Sequence, residues 1–219
     1  MHCLVPKYPR DLHSLAQYIH QPRLSELVRR FLYAQDHPDL EAPLAEVPIN
    51  ECPIYTGRVH VYPSAIATYF APSDPSGVTG MRQERIRATH SWRKGDARYD
   101  CVFVEADPEL PGFRGLLVAR VFLFFSLKHE GNVYPCALTR WYSTVDTEPD
   151  EDTGMWIVQP DQGDDGLDVI HLDTILRGAH LIGVTDDFIP KIKFTESLDA
   201  FKAFYVNKYA DYHTHEIAF

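Results

Sequence analysis

The feature that most constrains this chain is a train of six short apolar segments in its second half, at residues 99–105, 117–127, 133–142, 155–159, 169–172 and 181–184. Each is rich in Val, Ile, Phe, Tyr or Trp, and each is bounded by Gly, Pro or Asp. Branched and aromatic residues in runs this short form strands rather than helices. Glu130-Gly131-Asn132 lies between the second and third segments and suits a tight hairpin turn. Pro135 offers no N–H to a ladder, so it pushes the start of the third segment toward a sheet edge. Consecutive short strands of this kind make an antiparallel meander, curled or closed into a small barrel. The longest uninterrupted apolar run, Val121 to Phe125, is strand-length and far short of the ~18 residues of a membrane-spanning helix.

The two ends read as helix. Leu12, Leu15, Ala16 and Ile19 recur at helical spacing behind Asp11, an N-cap residue, and Leu24, Leu27, Val28, Phe31 and Leu32 repeat that face. Together they predict a helical hairpin joined near His20-Gln21. Pro38, Pro43, Pro48 and Pro53 then impose an extended connector over 36–55, and residues 71–80 read as a loop. Near the other end, Thr195 as N-cap with Leu198, Phe201, Phe204, Tyr205 and Tyr209 predicts a helix with a wide aromatic stripe. The expected fold is α+β: a β-meander or small barrel with an N-terminal helical hairpin and a C-terminal helix. The expected organisation is a helical segment with its Pro-rich connector at 1–55, a loop-rich basic segment at 56–98 and a β-rich core at 99–219, packed as one unit.

At 219 residues, 45% hydrophobic and 24% charged, the chain has an ordinary globular balance and needs neither metal nor disulfide to fold. Cys3, Cys52, Cys101 and Cys136 are widely spaced, which fits free thiols in a reducing compartment. The first ten residues contain no signal-peptide apolar core. The net charge of -10 is uneven: residues 1–100 hold 12 Lys/Arg and 11 Asp/Glu, whereas 101–219 hold 9 and 20. Nucleic acid is therefore repelled by the molecule as a whole.

One segment runs against that field. Residues 81–99 carry Arg82, Arg85, Arg87, Arg93, Lys94 and Arg98 around Trp92 and His90, with only Glu84 and Asp96 as acids. Arginine forks bind phosphate oxygens and an open indole stacks on bases, so this is the candidate nucleic-acid site. The competing reading is that these arginines pair with the acidic half of the chain, within the molecule or across a dimer. The acidic loops at 146–152 and 161–168 are solvated hairpin loops or a surface for a basic protein partner; an EF-hand started at Asp161 fails, because position 12 is Leu172. Phe122, Phe124, Phe125, Trp141, Tyr142 and Trp156 are core residues or, in the sharper reading, a cage for methylated lysine. His171 and Asp173 share a strand face and could recruit a loop carboxylate for a metal-dependent hydrolase or nuclease, and His213-Thr214-His215-Glu216 is a second histidine cluster. Neither has the spacing of a zinc signature, and no GxSxG, P-loop or dinucleotide-binding glycine motif is present.

Several blocks carry a resemblance: Glu84-Arg85-Ile86-Arg87, Ser91-Trp92-Arg93-Lys94-Gly95, Val118-Ala119-Arg120-Val121, Tyr134-Pro135-Cys136-Ala137-Leu138, Arg140-Trp141-Tyr142, and above all Pro149-Asp150-Glu151-Asp152-Thr153-Gly154-Met155-Trp156 and Ile170-His171-Leu172-Asp173. With Ala179-His180-Leu181-Ile182 and Phe204-Tyr205-Val206-Asn207-Lys208 they span most of the chain. It resembles the C-terminal region of DNA-transposon proteins of mushroom-forming fungi, of the CACTA-like group that includes Plavaka and the Kyakuja-Dileera-Zisupton elements. One departure is that Gly183 to Pro190 is shorter than the glycine-containing stretch of that pattern. The strand order is more distantly similar to bromo-adjacent homology domains, small β-barrels that bind chromatin. The resemblance implies an accessory region outside the transposase catalytic core, with no functional residues to carry over.

The expectation is therefore a non-enzymatic, nuclear protein without a cofactor or a membrane partner, touching DNA or chromatin through residues 82–98. The alternatives are a protein-interaction or oligomerisation module, using the acidic loops or the aromatic stripe, and the metal-dependent hydrolase.

Overall fold

A computed structural model of the protein describes residues 8–39, 43–72, 79–163, 166–185 and 191–219. Two helices open it, α1 (Leu12–Tyr18) and α2 (Leu24–Asp36). Asp11 caps α1 as its sequence position implies, accepting the Ser14 N–H at 2.8 Å. Twelve strands follow: β1 (His60–Tyr62), β2 (Ser64–Phe70), β3 (Met81–Thr89), β4 (Arg98–Tyr99), β5 (Cys101–Glu105), β6 (Leu116–His129), β7 (Asn132–Thr144), β8 (Ile157–Pro160), β9 (Leu167–His171), β10 (Ile175–Ala179), β11 (Leu181–Gly183) and β12 (Phe204–Val206). A short helix α3 (Ser197–Ala200) precedes β12, and α4 (Tyr212–Ile217) ends the chain. The fold is α+β, with every pairing antiparallel in a nearly closed, barrel-like sheet ordered β10-β5-β6-β7-β8-β12-β11. The hairpin β2–β3, with β4 beside it, forms a second small sheet.

The long β6–β7 hairpin is the spine. Its turn is the two residues Glu130-Gly131, with His129 opposite Asn132 and both turn residues at positive φ. Pro135 lies just outside the β7–β9 pairing, which begins at Cys136, so its missing donor is harmless there. The apolar run Val121–Phe125 has no polar alternation because both faces of β6 are covered. On one side Leu123, Phe125 and Leu127 pack with Leu15, Leu24, Val28 and Leu32 of the helical hairpin. On the other, Val121 and Phe124 pack beneath Ala67, Ile86 and Ala88 of β2–β3. A third cluster gathers Phe103, Phe113, Trp156, Phe204 and Val206 at the far end of the sheet.

Two expectations change. The helix predicted from Thr195 through Tyr209 ends at Ala200, and Phe204–Val206 is strand β12, pairing with β8 and β11. Phe204 and Val206 are buried in that register while Tyr209 is exposed, so the stripe is not one face. Phe-Tyr-Val favours a strand wherever an open edge can receive it. The C-terminal helix of the fold is α4. The basic segment is also less loop-like than its composition suggests, since residues 81–89 are strand β3. The loop expected at 71–80 lies mostly outside the described residues, as do residues 186–190 of the shortened stretch after Gly183. Cys52, Cys101 and Cys136 are buried free thiols, and Cys3 is outside the described residues. No described helix is long and apolar enough to cross a membrane.

Candidate nucleic-acid interface

Strand alternation divides the arginines of β3. Arg82 shares a face with Glu84, Ile86 and Ala88, the last two buried against β5 and β6. Arg85 and Arg87 share the opposite face. Arg85 donates to Ser64 Oγ at 3.0 Å, and the Arg87 backbone N–H donates to Asp100 Oδ2 at 2.8 Å. Asp100 also accepts Arg98 Nε at 2.7 Å, so one carboxylate fixes the junction of β3 with β4.

The chain then turns through Trp92–Asp96, closed by the Gly95 N–H donating to Trp92 O at 2.9 Å and the Trp92 N–H to Asp96 O at 3.1 Å. Arg93 and Lys94 occupy left-handed backbone at φ 52° and 65°. Two consecutive non-glycine residues there are costly, and such conformations concentrate at functional positions. The turn lifts both side chains into solvent. Beneath it lies Trp92, whose ring has Arg93 Cζ 4.4 Å, Arg98 Cζ 4.8 Å and Arg87 Cζ 5.7 Å from its centroid. Three guanidinium groups gather on one indole by cation–π attraction. His90 anchors the turn to the N-terminal segment, its two ring nitrogens hydrogen-bonded to the hydroxyls of Tyr8, ahead of α1, at 3.0 Å and Tyr18 of α1 at 3.2 Å.

This arrangement corrects one expectation: Trp92 is engaged by guanidinium groups and is not an open platform for a base. The side chains of Arg85, Arg87, Arg93 and Lys94 have no carboxylate partner among the described residues. Six of the seven predicted site residues come together; Arg82 sits on the other face. Arg85, Arg87 and Arg98 also line a cleft of about 500 Å³ together with Glu84, Asp100, Gly178–Leu181, Ser197 and Leu198.

The other candidates separate. Phe124, Phe125, Tyr142 and Trp156 are 1–5% exposed and divided among three core clusters, so they form no cage. Glu148 pairs with Arg114 of the turn before β6 at 2.9 Å, Asp150 caps Thr153 within its own loop, and Asp161 bonds Ser143 of β7, so these acidic residues have partners within the molecule; Asp164 and Asp165 lie outside the described residues. Burial pushes the Asp168 carboxyl above the usual range. His171 lies 3.6 Å from Asp173, and no third ligand joins them among the described residues. The one three-residue group there with metal-ligand spacing is Asp36, His129 and Glu130, where His129 Nε2 contacts Asp36 at 3.2 Å and ties α2 to the β6–β7 turn.

Two arginines were missed by the sequence reading. Arg177 is 1% exposed and pairs with Asp211, Glu84 and His213. Arg120 is 8% exposed and pairs with Asp199 through bonds of 2.5 and 3.1 Å. The available signal was an arginine inside an apolar strand, which requires a carboxylate from elsewhere in the chain.

Comparison with protein-family models, curated proteins and solved structures gives no match.

Proposed function

We propose that this chain is a non-catalytic, transposon-derived accessory module that contacts the phosphate backbone of DNA, free or in chromatin, through Arg85, Arg87, Arg93, Lys94 and Arg98. The observation that carries this reading is the gathering of three guanidinium groups on Trp92 with Asp100, among the described residues, as the sole carboxylate bonded among them. Like charges held together favour an anion that can share them, and arginine forks fit phosphate oxygens. With the indole engaged, the patch suits backbone phosphates rather than stacked bases, so binding is insensitive to sequence. The acidic second half keeps contact to one face of the molecule. Nuclear residence follows from this role. The acidic-loop and hydrolase readings have less support, given the intramolecular partners of Glu148, Asp150 and Asp161 and the isolation of the His171–Asp173 pair.

The test is duplex binding between 50 and 200 mM salt, followed by fluorescence anisotropy. Phosphate contact predicts affinity falling steeply and linearly on a log–log plot, with equal slopes on unrelated sequences. Absence of binding to duplex, single strands and nucleosomes at the lowest salt contradicts it.

A further inference from the structure

The cleft beneath the arginine cluster does not end at Ser197. It continues into a cavity of about 290 Å³ lined by Trp92, Arg98, Tyr99, Asp100, Arg120 and Thr195 among others. A further cavity of about 250 Å³ shares Tyr99, Arg120 and Thr195 and reaches Asp96, Lys193 and Asp199. Arg120 lines both. Its side chain is 9% exposed, and its Nε has no hydrogen-bond partner among the described residues. Its Cζ lies 5.8 Å from the Tyr99 ring and 5.5 Å from the Phe122 ring. Burial opposes its charge, and the hydrogen bonds it donates to Asp199 restore it, so Arg120 stays a cation.

The counter-ion has the opposite character. Asp199 is 64% exposed at its side chain and sits on α3, a single helical turn. The segment carrying it is otherwise tied to the basic turn by Thr195 Oγ1 donating to Asp96 at 3.1 Å and by Lys193 3.8 Å from the same carboxylate, both exposed contacts. Exposed contacts of this kind hold weakly, whereas a buried guanidinium stripped of its anion is costly. Leu198 on the same turn packs against the core cluster of Phe103 and Phe204, so the exposed Asp199 carboxylate, rather than the whole strap, is the part that can leave Arg120, and only when another anion takes its place.

We propose that Arg120, with Arg98 across the same cavity, is a phosphate-binding site that Asp199 occupies as an internal anion in the free protein. A phosphate oxygen pair replaces the Asp199 carboxylate on the Arg120 fork, and the turn carrying Asp199 loosens as the ligand enters beneath the Trp92 cluster. The site rests on the proposed function only for the source of its phosphate; the chemistry recognised is a phosphate group, whether free or within a nucleic-acid backbone.

Asp199→Asn keeps the shape and removes the competing charge, and Glu151→Gln in the exposed acidic loop changes net charge equally. Inorganic phosphate titrated by calorimetry, and a short DNA duplex titrated by anisotropy, are the two probes. Asp199→Asn is expected to bind both on the order of tenfold more tightly than the unsubstituted chain, with Glu151→Gln within about twofold of it. In the unsubstituted protein, phosphate is expected to speed amide hydrogen exchange over 195–200. Equal phosphate affinity for Asp199→Asn and Glu151→Gln, in folded proteins, overturns the proposal, as does exchange in the strap that phosphate leaves unchanged. Should Asp199→Asn fail to fold, the exchange measurement alone decides. Phosphate binding without duplex binding supports this site and defeats the DNA reading; duplex binding indifferent to Asp199→Asn does the reverse.

Discussion

Arg177 on β10 and Asp211 at the N-terminus of α4 form a two-pronged ion pair, with bonds of 2.6 and 2.8 Å, inside the protein. The same carboxylate caps α4 by accepting Thr214 N–H at 2.8 Å and Thr214 Oγ1 at 2.9 Å. The guanidinium also lies 4.7 Å from the Tyr69 ring on β2 and 3.6 Å from Glu84 on β3. One buried arginine thus joins the main sheet, the basic hairpin and the C-terminal helix. Asp211→Asn leaves the guanidinium without its main partner and weakens the cap, and should cost about 3–5 kcal/mol. Urea denaturation followed by tryptophan fluorescence measures it.

Acid should strike the same junction. Burial and the neighbouring Arg177 lower the pKa of His213 below its ordinary 6.5, so the folded chain holds this ring neutral while the unfolded chain protonates it. The unfolded state then binds more protons, and stability declines as pH falls through about 6.5. Burial opposes ionisation at Asp211, but Arg177 and Thr214 outweigh it and hold the carboxyl well below the usual carboxylate range. Its contribution is full above the unfolded carboxyl pKa of about 3.9 and is lost as pH falls toward the depressed folded value. Melting temperature against pH should show a first decline below about pH 6.5 that His213→Gln removes, and a steeper one below about pH 4.

Glu130 sits at φ 49° in the two-residue β6–β7 turn, and Gly131 follows at φ 90°. Turns with positive φ at both positions favour Asn over Glu at the first. Glu130→Asn should therefore raise stability by about 0.5–1 kcal/mol, read as an increase in the urea midpoint at unchanged m-value.

The meander was legible because β6, β7 and their turn write their pattern locally: a branched and aromatic run, Glu130-Gly131, and a second run. The helical hairpin was legible for the same reason, through the spacing from Leu12 to Leu32. β3 was not, because Arg82, Arg85 and Arg87 mask the inward pair Ile86 and Ala88. β12 was not, because Phe201, Phe204 and Tyr205 satisfy a helical spacing as well as a strand, and only the open edges of β8 and β11 decide between them. At the candidate site the charges were visible in sequence. That three of them converge on Trp92, and that Arg120 lies beneath them, depends on contacts between residues far apart in the chain.

Trp92→Ala should scatter the guanidinium groups without removing a charge. If the indole organises the patch, duplex affinity drops by about three- to tenfold while the salt slope changes little, since the same cations still reach phosphates. Unchanged affinity would mean that the arginines act singly.

The most direct test of the central claim is the salt dependence of duplex binding for the chain carrying Arg85→Ala, Arg87→Ala and Arg93→Ala together. Removing three phosphate contacts should reduce the log–log slope by about 2.7, equally on unrelated sequences. A slope identical to that of the unsubstituted chain would contradict the assignment of this surface to the phosphate backbone.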